Sequence, residues 1–261
     1  MNHQLMHGDV NECMDRIPDS CIQLCVTSPP YDNIRLYGKH DWNFEQTAED
    51  LMRVLVPGGV VCWVVADETK NGSETLTSMR QALYFVDQVG FRMHDTMIYS
   101  KLGFTHPERV RYHQTWEYVF ILSRGAPRSF NPLMDRPCLT AGQRSALGED
   151  TFTKRDGTKA VNRKMREITP DFSMRWNVWT GKTRGQERVC ARLSHPAMMP
   201  EWLARDLILS WSDEGDTVID PFVGSGTVMQ CAEATGRNSI GIDIHEPYIS
   251  DIEAGMGLVR V

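Results

Sequence analysis

Thr27-Ser28-Pro29-Pro30-Tyr31 carries the densest group of chemistry-bearing residues in the first half of the chain. It closes the apolar run 22–26, so a buried strand leads straight into two consecutive prolines. Proline fixes φ, lacks an N–H and pushes the residue before it out of the helical region. The backbone leaving the strand is therefore extended, stiff and poor in donors. It offers carbonyl oxygens, the Ser28 hydroxyl and the Tyr31 ring in fixed directions. A flat ring with an exocyclic amine suits that set: its two N–H groups donate to Ser28 Oγ and the Pro29 carbonyl while Tyr31 stacks on the ring. Acceptors on both N–H groups favour a tetrahedral nitrogen, freeing a lone pair that delocalisation otherwise withholds. Such a nitrogen attacks an electrophile with no covalent enzyme intermediate. In isolation the same five residues describe an ordinary Pro-Pro turn, and the far end of the chain has to separate the two readings.

Near that end, residues 216–220 read as a strand followed by Asp220-Pro221-Phe222-Val223-Gly224-Ser225-Gly226-Thr227. A helix then runs to Thr235, Gly236 stops it, and a strand over 239–242 ends at Asp243. Strand, glycine turn, helix, strand and acid is the series that lays a nucleoside along strand ends. The glycines let the backbone approach a ligand closely, and the helix N-terminus favours a negative group such as a carboxylate. Asp243 stands where an acid accepts ribose hydroxyls. A dinucleotide fingerprint would need a third glycine where this chain has Met229.

Position adds an inference that composition does not. The glycine turn of a nucleoside-binding fold normally follows the first strand, yet here it begins at residue 220 of 261. The remaining strands must come from the N-terminal half, so the order is circularly permuted, with room after the turn for one helix, one strand and a tail. Asp9, ending the first strand, is then expected beside Asp243, placed to accept from an adenine amine. The Ser28–Tyr31 turn is expected on the strand adjacent to it, at the same carboxyl edge.

The elements that position these groups alternate. Strands are expected over 5–8, 22–26, 60–65, 91–101 and 116–122, with helices through Met14, over 48–56 and over 75–89. Pro57-Gly58-Gly59 and Gly90 stop the second and third helices. Such alternation predicts an α/β fold with a mostly parallel sheet covered on both faces. From 124 to about 185 the periodicity fails, and Pro, Gly and basic residues intermix in a loop-rich insert. Residues 195–211 return to helix. The division is 1–123, an insert over 124–190, and 191–261.

The chain has 261 residues, 41% of them hydrophobic, enough for a substantial core. No apolar run approaches membrane-spanning length and the first residues lack a signal-peptide pattern, so a cytoplasmic protein without membrane attachment is expected. The seven cysteines are odd in number and contain no Cys-x-x-Cys pair, which argues against a disulfide framework and a structural zinc site. No metal is expected. The net charge is −6, but residues 101–190 hold 17 Lys+Arg against 9 Asp+Glu. A basic segment inside an acidic protein is an electrostatic footprint for a phosphate backbone.

Ser28-Pro29-Pro30-Tyr31 upstream and Asp220-Pro221-Phe222-x-Gly224-Ser225-Gly226-Thr227 downstream resemble the amino methyltransferases of DNA in the β motif order. Gly8-Asp9, Pro57-Gly58-Gly59, His195-Pro196 and Gly241-Ile242-Asp243 fall where that family has counterparts, so the resemblance covers nearly the whole chain. It implies a class I (Rossmann-like) S-adenosylmethionine-dependent enzyme, acting on double-stranded DNA in the setting of restriction-modification. The implied catalytic residues are Ser28, Pro29, Pro30 and Tyr31. The implied cofactor contacts are Asp9, Asp220, Phe222, Gly224, Ser225, Gly226, Thr227 and Asp243, with His195 and Pro196 at the methionine end. The insert becomes a target-recognition region, and a homodimer is implied as well. Arginines such as Arg144, Arg155 and Arg163 have the donors to read guanine edges, with phosphate or solvent contact the alternative for any one of them. Serine at position 28 favours cytosine N4 as target, while adenine N6 needs the same two acceptors. An RNA or protein amide methyltransferase, and a catalytically idle DNA-binding protein, are the other classes compatible with the fold.

Overall fold

A computed structural model describes residues 1–30, 42–103, 109–143, 149–163, 168–182 and 198–258. It divides into two compact units, Met1–Asn131 with Asn177–Val261, and Pro132–Trp176. The second unit is narrower than the 124–190 stretch that lacks periodicity.

The first unit is built on eight strands: β1 (His3–His7), β2 (Ile22–Thr27), β3 (Leu55–Val65), β4 (Arg92–Lys101), β5 (Trp116–Ser123), β6 (Val178–Gly181), β7 (Thr217–Asp220) and β8 (Asn238–Asp243). They lie in the order β1-β8-β7-β2-β3-β5-β4-β6. Five of the seven pairings are parallel, and β5 runs antiparallel between β3 and β4. The first strand pairs with the last, His3↔Ser239 through His7↔Asp243, which is the permuted order read from the sequence. One adjacency differs from expectation. β2, which leads into Ser28, lies beside β7, through Val218↔Leu24 and Ile219↔Cys25, and not beside β1. Both glycine-turn strands therefore stand between Asp9 and Ser28.

Helices cover both faces. Leu5 and Met6 are neighbours on β1 and so point to opposite faces, and they belong to separate buried clusters. On Met6's side pack α1 (Val10–Met14), α2 (Phe44–Val54) and α3 (Thr77–Tyr84), around Trp63 of the fully buried half of β3. Trp63 Nε1 donates to Gln81 Oε1 at 2.9 Å, so the largest core residue keeps its polar atom satisfied. α2 is amphipathic, burying Ala48, Leu51 and Val54, and the Asn43 side chain caps it by accepting from Gln46 N–H at 3.2 Å. On Leu5's side pack α5 (Thr227–Ala234) and α6 (Glu246–Met256), through Val223, Met229, Ile249 and Ile252. α4 (Glu201–Trp211) packs against α5 and β2. The tail expected after residue 243 is thus a helix, ended by Gly257 at φ 66°.

The second unit holds two short antiparallel ladders, Glu149–Thr153 with Lys159–Arg163 and Arg136–Pro137 with Phe172–Ser173, inside a stretch the sequence reads as loop. Of the two tryptophans beside them in sequence, Trp176 is exposed, whereas Trp179 is buried in β6 of the main sheet.

Close packing of α5 on β8 depends on Gly241. A Cβ there would lie 2.4 Å from Met229 Sδ and 2.9 Å from Val223 Cγ2. The third glycine of a dinucleotide fingerprint gives close helix–strand packing; here the helix position carries Met229 and the facing strand supplies the glycine instead. Gly241→Ala is expected to destabilise the fold by about 1–3 kcal/mol. Urea unfolding should show a lower midpoint at unchanged slope, and an unshifted midpoint would contradict this packing.

Candidate active site

The carboxyl ends of β1, β8, β7 and β2 bring the sequence-distant acids and turns to one edge. After β7 the chain makes the turn 220–226, with Gly224 at φ 50° and Gly226 at φ 76°, conformations that disfavour a Cβ. At Gly226 a Cβ would also come within 2.9 Å of Ile252 Cγ1 of α6. Val223 N–H donates to the Ile242 carbonyl at 2.9 Å and Gly226 N–H to the Val223 carbonyl at 2.8 Å. Thr227 opens α5. Ser225 is buried, with its Oγ 3.0 Å from Thr227 Oγ1.

Asp243 holds this turn from the neighbouring strand. Its Oδ2 accepts from Gly224 N–H at 2.9 Å and its Oδ1 from His245 N–H at 2.8 Å, so one carboxylate ties the glycine turn to the entry of α6. Its backbone carbonyl accepts from Gly8 N–H at 3.1 Å, joining β8 to the end of β1. Asp9 follows and caps α1, Oδ1 accepting from Asn11 N–H at 2.9 Å and from Glu12 N–H at 3.4 Å.

A buried contact joins the turn after β7 to the strand end that enters the turn after β2. Thr27 Oγ1 donates to Asp220 Oδ1 at 2.7 Å, and the same oxygen accepts from Phe222 N–H at 3.1 Å. Thr27 is fully buried and Asp220 is 4% exposed. Burial pushes the Asp220 carboxyl up to about 7; the bonds from Thr27 and Phe222 pull it down, and the nearby Asp243 carboxylate pushes it up. Burial wins, which leaves a carboxyl that gains by having a positive group close to it.

Ser28, Pro29 and Pro30 follow Thr27 directly, Pro29 buried and the other two half-buried. Tyr31, His195 and Pro196 lie outside the described residues, as does Arg144. Phe222 is half-buried and meets the Trp42 ring edge-on at a centroid distance of 4.8 Å. Two contributors went unassigned in the sequence. Thr27 was legible only as a hydroxyl ending an otherwise apolar strand, and Trp42 carried no local signal, because its partner is 180 residues away. Among the described residues no three His, Cys, Asp or Glu gather as a metal-binding group.

The comparisons with known proteins agree with this layout. The family of N6/N4 methyltransferases, described as DNA methylase, matches residues 22–254. The orphan methyltransferase M.BamHII of Bacillus amyloliquefaciens is 45% identical over 237 residues, covering 90% of this chain and 88% of that one. Among solved structures, the PvuII DNA methyltransferase (cytosine-N4-specific) superimposes with a TM-score of 0.69 at 18% identity, over 99% of this chain and 87% of that one. A putative DNA modification methylase from Thermus thermophilus, complexed with S-adenosyl-L-methionine, gives 0.61 at 20% identity, over 97% and 93%. At those identities the two structures speak for the class I methyltransferase fold alone. With the family match spanning most of its length, this chain belongs to the N6/N4 family of DNA methylases.

Proposed function

We propose that this DNA methylase transfers a methyl group from S-adenosylmethionine to the exocyclic N4 amine of a cytosine flipped out of double-stranded DNA. The observation that carries the reading is the Thr27–Asp220 bond, which fixes the amine-accepting turn against the glycine turn at one sheet edge. The site's own chemistry fits the cofactor: the buried Asp220 carboxyl, raised by burial and by the nearby Asp243 carboxylate, gains from a cationic ligand close to it. The positive φ at Gly224 and Gly226 lets the backbone turn tightly at this edge. S-adenosylmethionine, when bound, supplies a methyl group on a positively charged sulfur.

The residues of the chain do the rest. Gly224, Ser225, Gly226 and Thr227 line the bound nucleoside, Asp243 accepts from its ribose, and Asp9 accepts from its adenine amine. His195 and Pro196 hold the methionine end. Asp220 works from behind as a brace, keeping Phe222 and the turn in place. Ser28 Oγ and the Pro29 carbonyl accept the two amine protons of the target, and Tyr31 stacks on its ring. Holding donor and acceptor in one cleft makes the transfer effectively unimolecular. Basic residues between 101 and 190 grip the DNA backbone while the base is flipped, and a homodimer belongs to the same reading. Ser28 favours cytosine; adenine N6 is the second reading, since its amine needs the same two acceptors.

Digesting DNA methylated with labelled S-adenosylmethionine and weighing the labelled nucleoside tests this directly. N4-methylcytosine is expected, N6-methyladenine moves the assignment to the second reading, and no labelled base removes both. Tyr31→Ala should lower turnover roughly ten- to a hundredfold, the loss of one base–aromatic stack, with cofactor affinity kept; full turnover would remove the stacking role. Asp243→Ala should raise the cofactor Kd about tenfold or more, as loss of charged hydrogen bonds implies, and calorimetry showing unchanged affinity would sink the assignment.

Asp220 gives a pH signature. Its folded-state pKa of about 7 lies above the ordinary carboxyl value, so between about pH 4 and 7 the unfolded chain releases this proton while the native chain keeps it. Its contribution to stability therefore falls as pH rises through that window, then levels off. Asp220→Asn should flatten the decline of Tm between pH 4 and 7. Parallel Tm profiles for the two proteins would contradict the raised carboxyl.

A further inference from the structure

Within the second unit, Arg136 differs from every other described arginine there in how its head is held. Its Nε donates to the Met174 carbonyl at 3.1 Å, across the short ladder with Phe172–Ser173. Its guanidinium lies over the Trp176 ring, 4.6 Å from the centroid. One edge of the plane is thus bonded and one face stacked, while among the described residues no carboxylate pairs with it. What remains is the Nη1/Nη2 fork, fixed in direction and charged.

Arg175, two residues past that ladder, shows the contrast. Arg175 Nε donates to both oxygens of Asp135 at 3.1 Å, and its Nη2 reaches the same carboxylate. That bond holds the Asp135 carboxyl below its ordinary range, so Arg175's charge is neutralised inside the unit. Arg155 sits exposed at the tip of the other hairpin, in the turn closed by Gly157 N–H on the Lys154 carbonyl at 2.9 Å, with nothing fixing its head. Arg144 and the Arg163 side chain lie outside the described residues.

We propose that Arg136 reads the O6/N7 edge of a guanine in the recognition sequence, a specificity role that rests on the DNA-methylating function proposed above. A guanidinium fork meets those two acceptors bidentately, the commonest specific arginine–base contact. A phosphate grip draws on charge and tolerates a mobile side chain. A base reader gains from a head whose orientation is fixed before DNA arrives, because less rotamer entropy is lost on binding. Trp176, exposed beneath the guanidinium, supplies that fixing at a cost: a large aromatic left in solvent.

The test begins with the wild-type protein, methylating a random-sequence DNA library that is then sequenced to give its recognition motif. Duplexes carrying 7-deazaguanine, which lacks the N7 acceptor, at each guanine in turn are then titrated against wild-type, Arg136→Ala and Arg136→Lys proteins, with unfolding midpoints measured alongside. At one guanine the analogue should weaken wild-type binding roughly fivefold or more. It should leave both variants nearly indifferent, and their methylation should spread to sequences altered at that position. The lysine variant keeps the charge and loses the planar head with its fork, and with the unfolding midpoints alongside the result stands even if the alanine variant is poorly folded. A uniform loss of affinity with a shallower salt dependence would make Arg136 a phosphate contact and overturn the proposal. Unchanged discrimination in both variants, or a motif without guanine, would overturn it too. Failure of the wild-type protein to methylate any DNA would be a different result, removing the function itself and this role with it.

Discussion

Two turns almost two hundred residues apart are held together by one buried hydroxyl–carboxylate contact. Thr27 ends the strand that enters the Ser-Pro-Pro turn, Asp220 ends the strand that enters the glycine turn, and these strands are neighbours in the sheet. A hydrogen bond to an ionised acceptor contributes about 1.5–3 kcal/mol, yet burial still raises the Asp220 carboxyl. The fold therefore keeps an acid at an energetic disadvantage in the wall between two binding turns.

Around that contact the geometry is set by where side chains are absent. Gly241 lets α5 lie close on β8, and Gly226 lets the turn pass beneath Ile252 of α6. Because α6 packs on Gly226, and Asp243 bonds both the turn and the residue before α6, the last helix is tied to the glycine turn. The parallel run β1-β8-β7-β2-β3 places every carboxyl end on one side, so acids and turns from both ends of the chain share one edge without long loops. The antiparallel β5 lies beyond β3, away from the acids.

Charge is partitioned along the chain in a way that suits two different ligands. The basic excess falls in residues 101–190, while Asp9, Asp220 and Asp243 belong to the acidic remainder. Within the second unit, Asp135 pairs with Arg175, and the Trp176 ring lies under the Arg136 guanidinium.

The sequence by itself determined the family, the permuted order and most elements. Strand periodicity, prolines and glycines at strand ends, and acids one residue beyond them are local features, each written in a few consecutive residues. It placed Ser28, Gly224, Gly226 and Asp243 at one edge for that reason. Only the tertiary structure decided that β2 stands beside β7 and not β1, that Val178–Gly181 joins the sheet, that Trp179 is core while Trp176 is exposed, and that Thr27 braces Asp220. Those facts are pairings between residues far apart in the chain. A four-residue edge strand or a lone buried hydroxyl has no period to betray it, because what fixes it is the partner it meets once the sheet has closed.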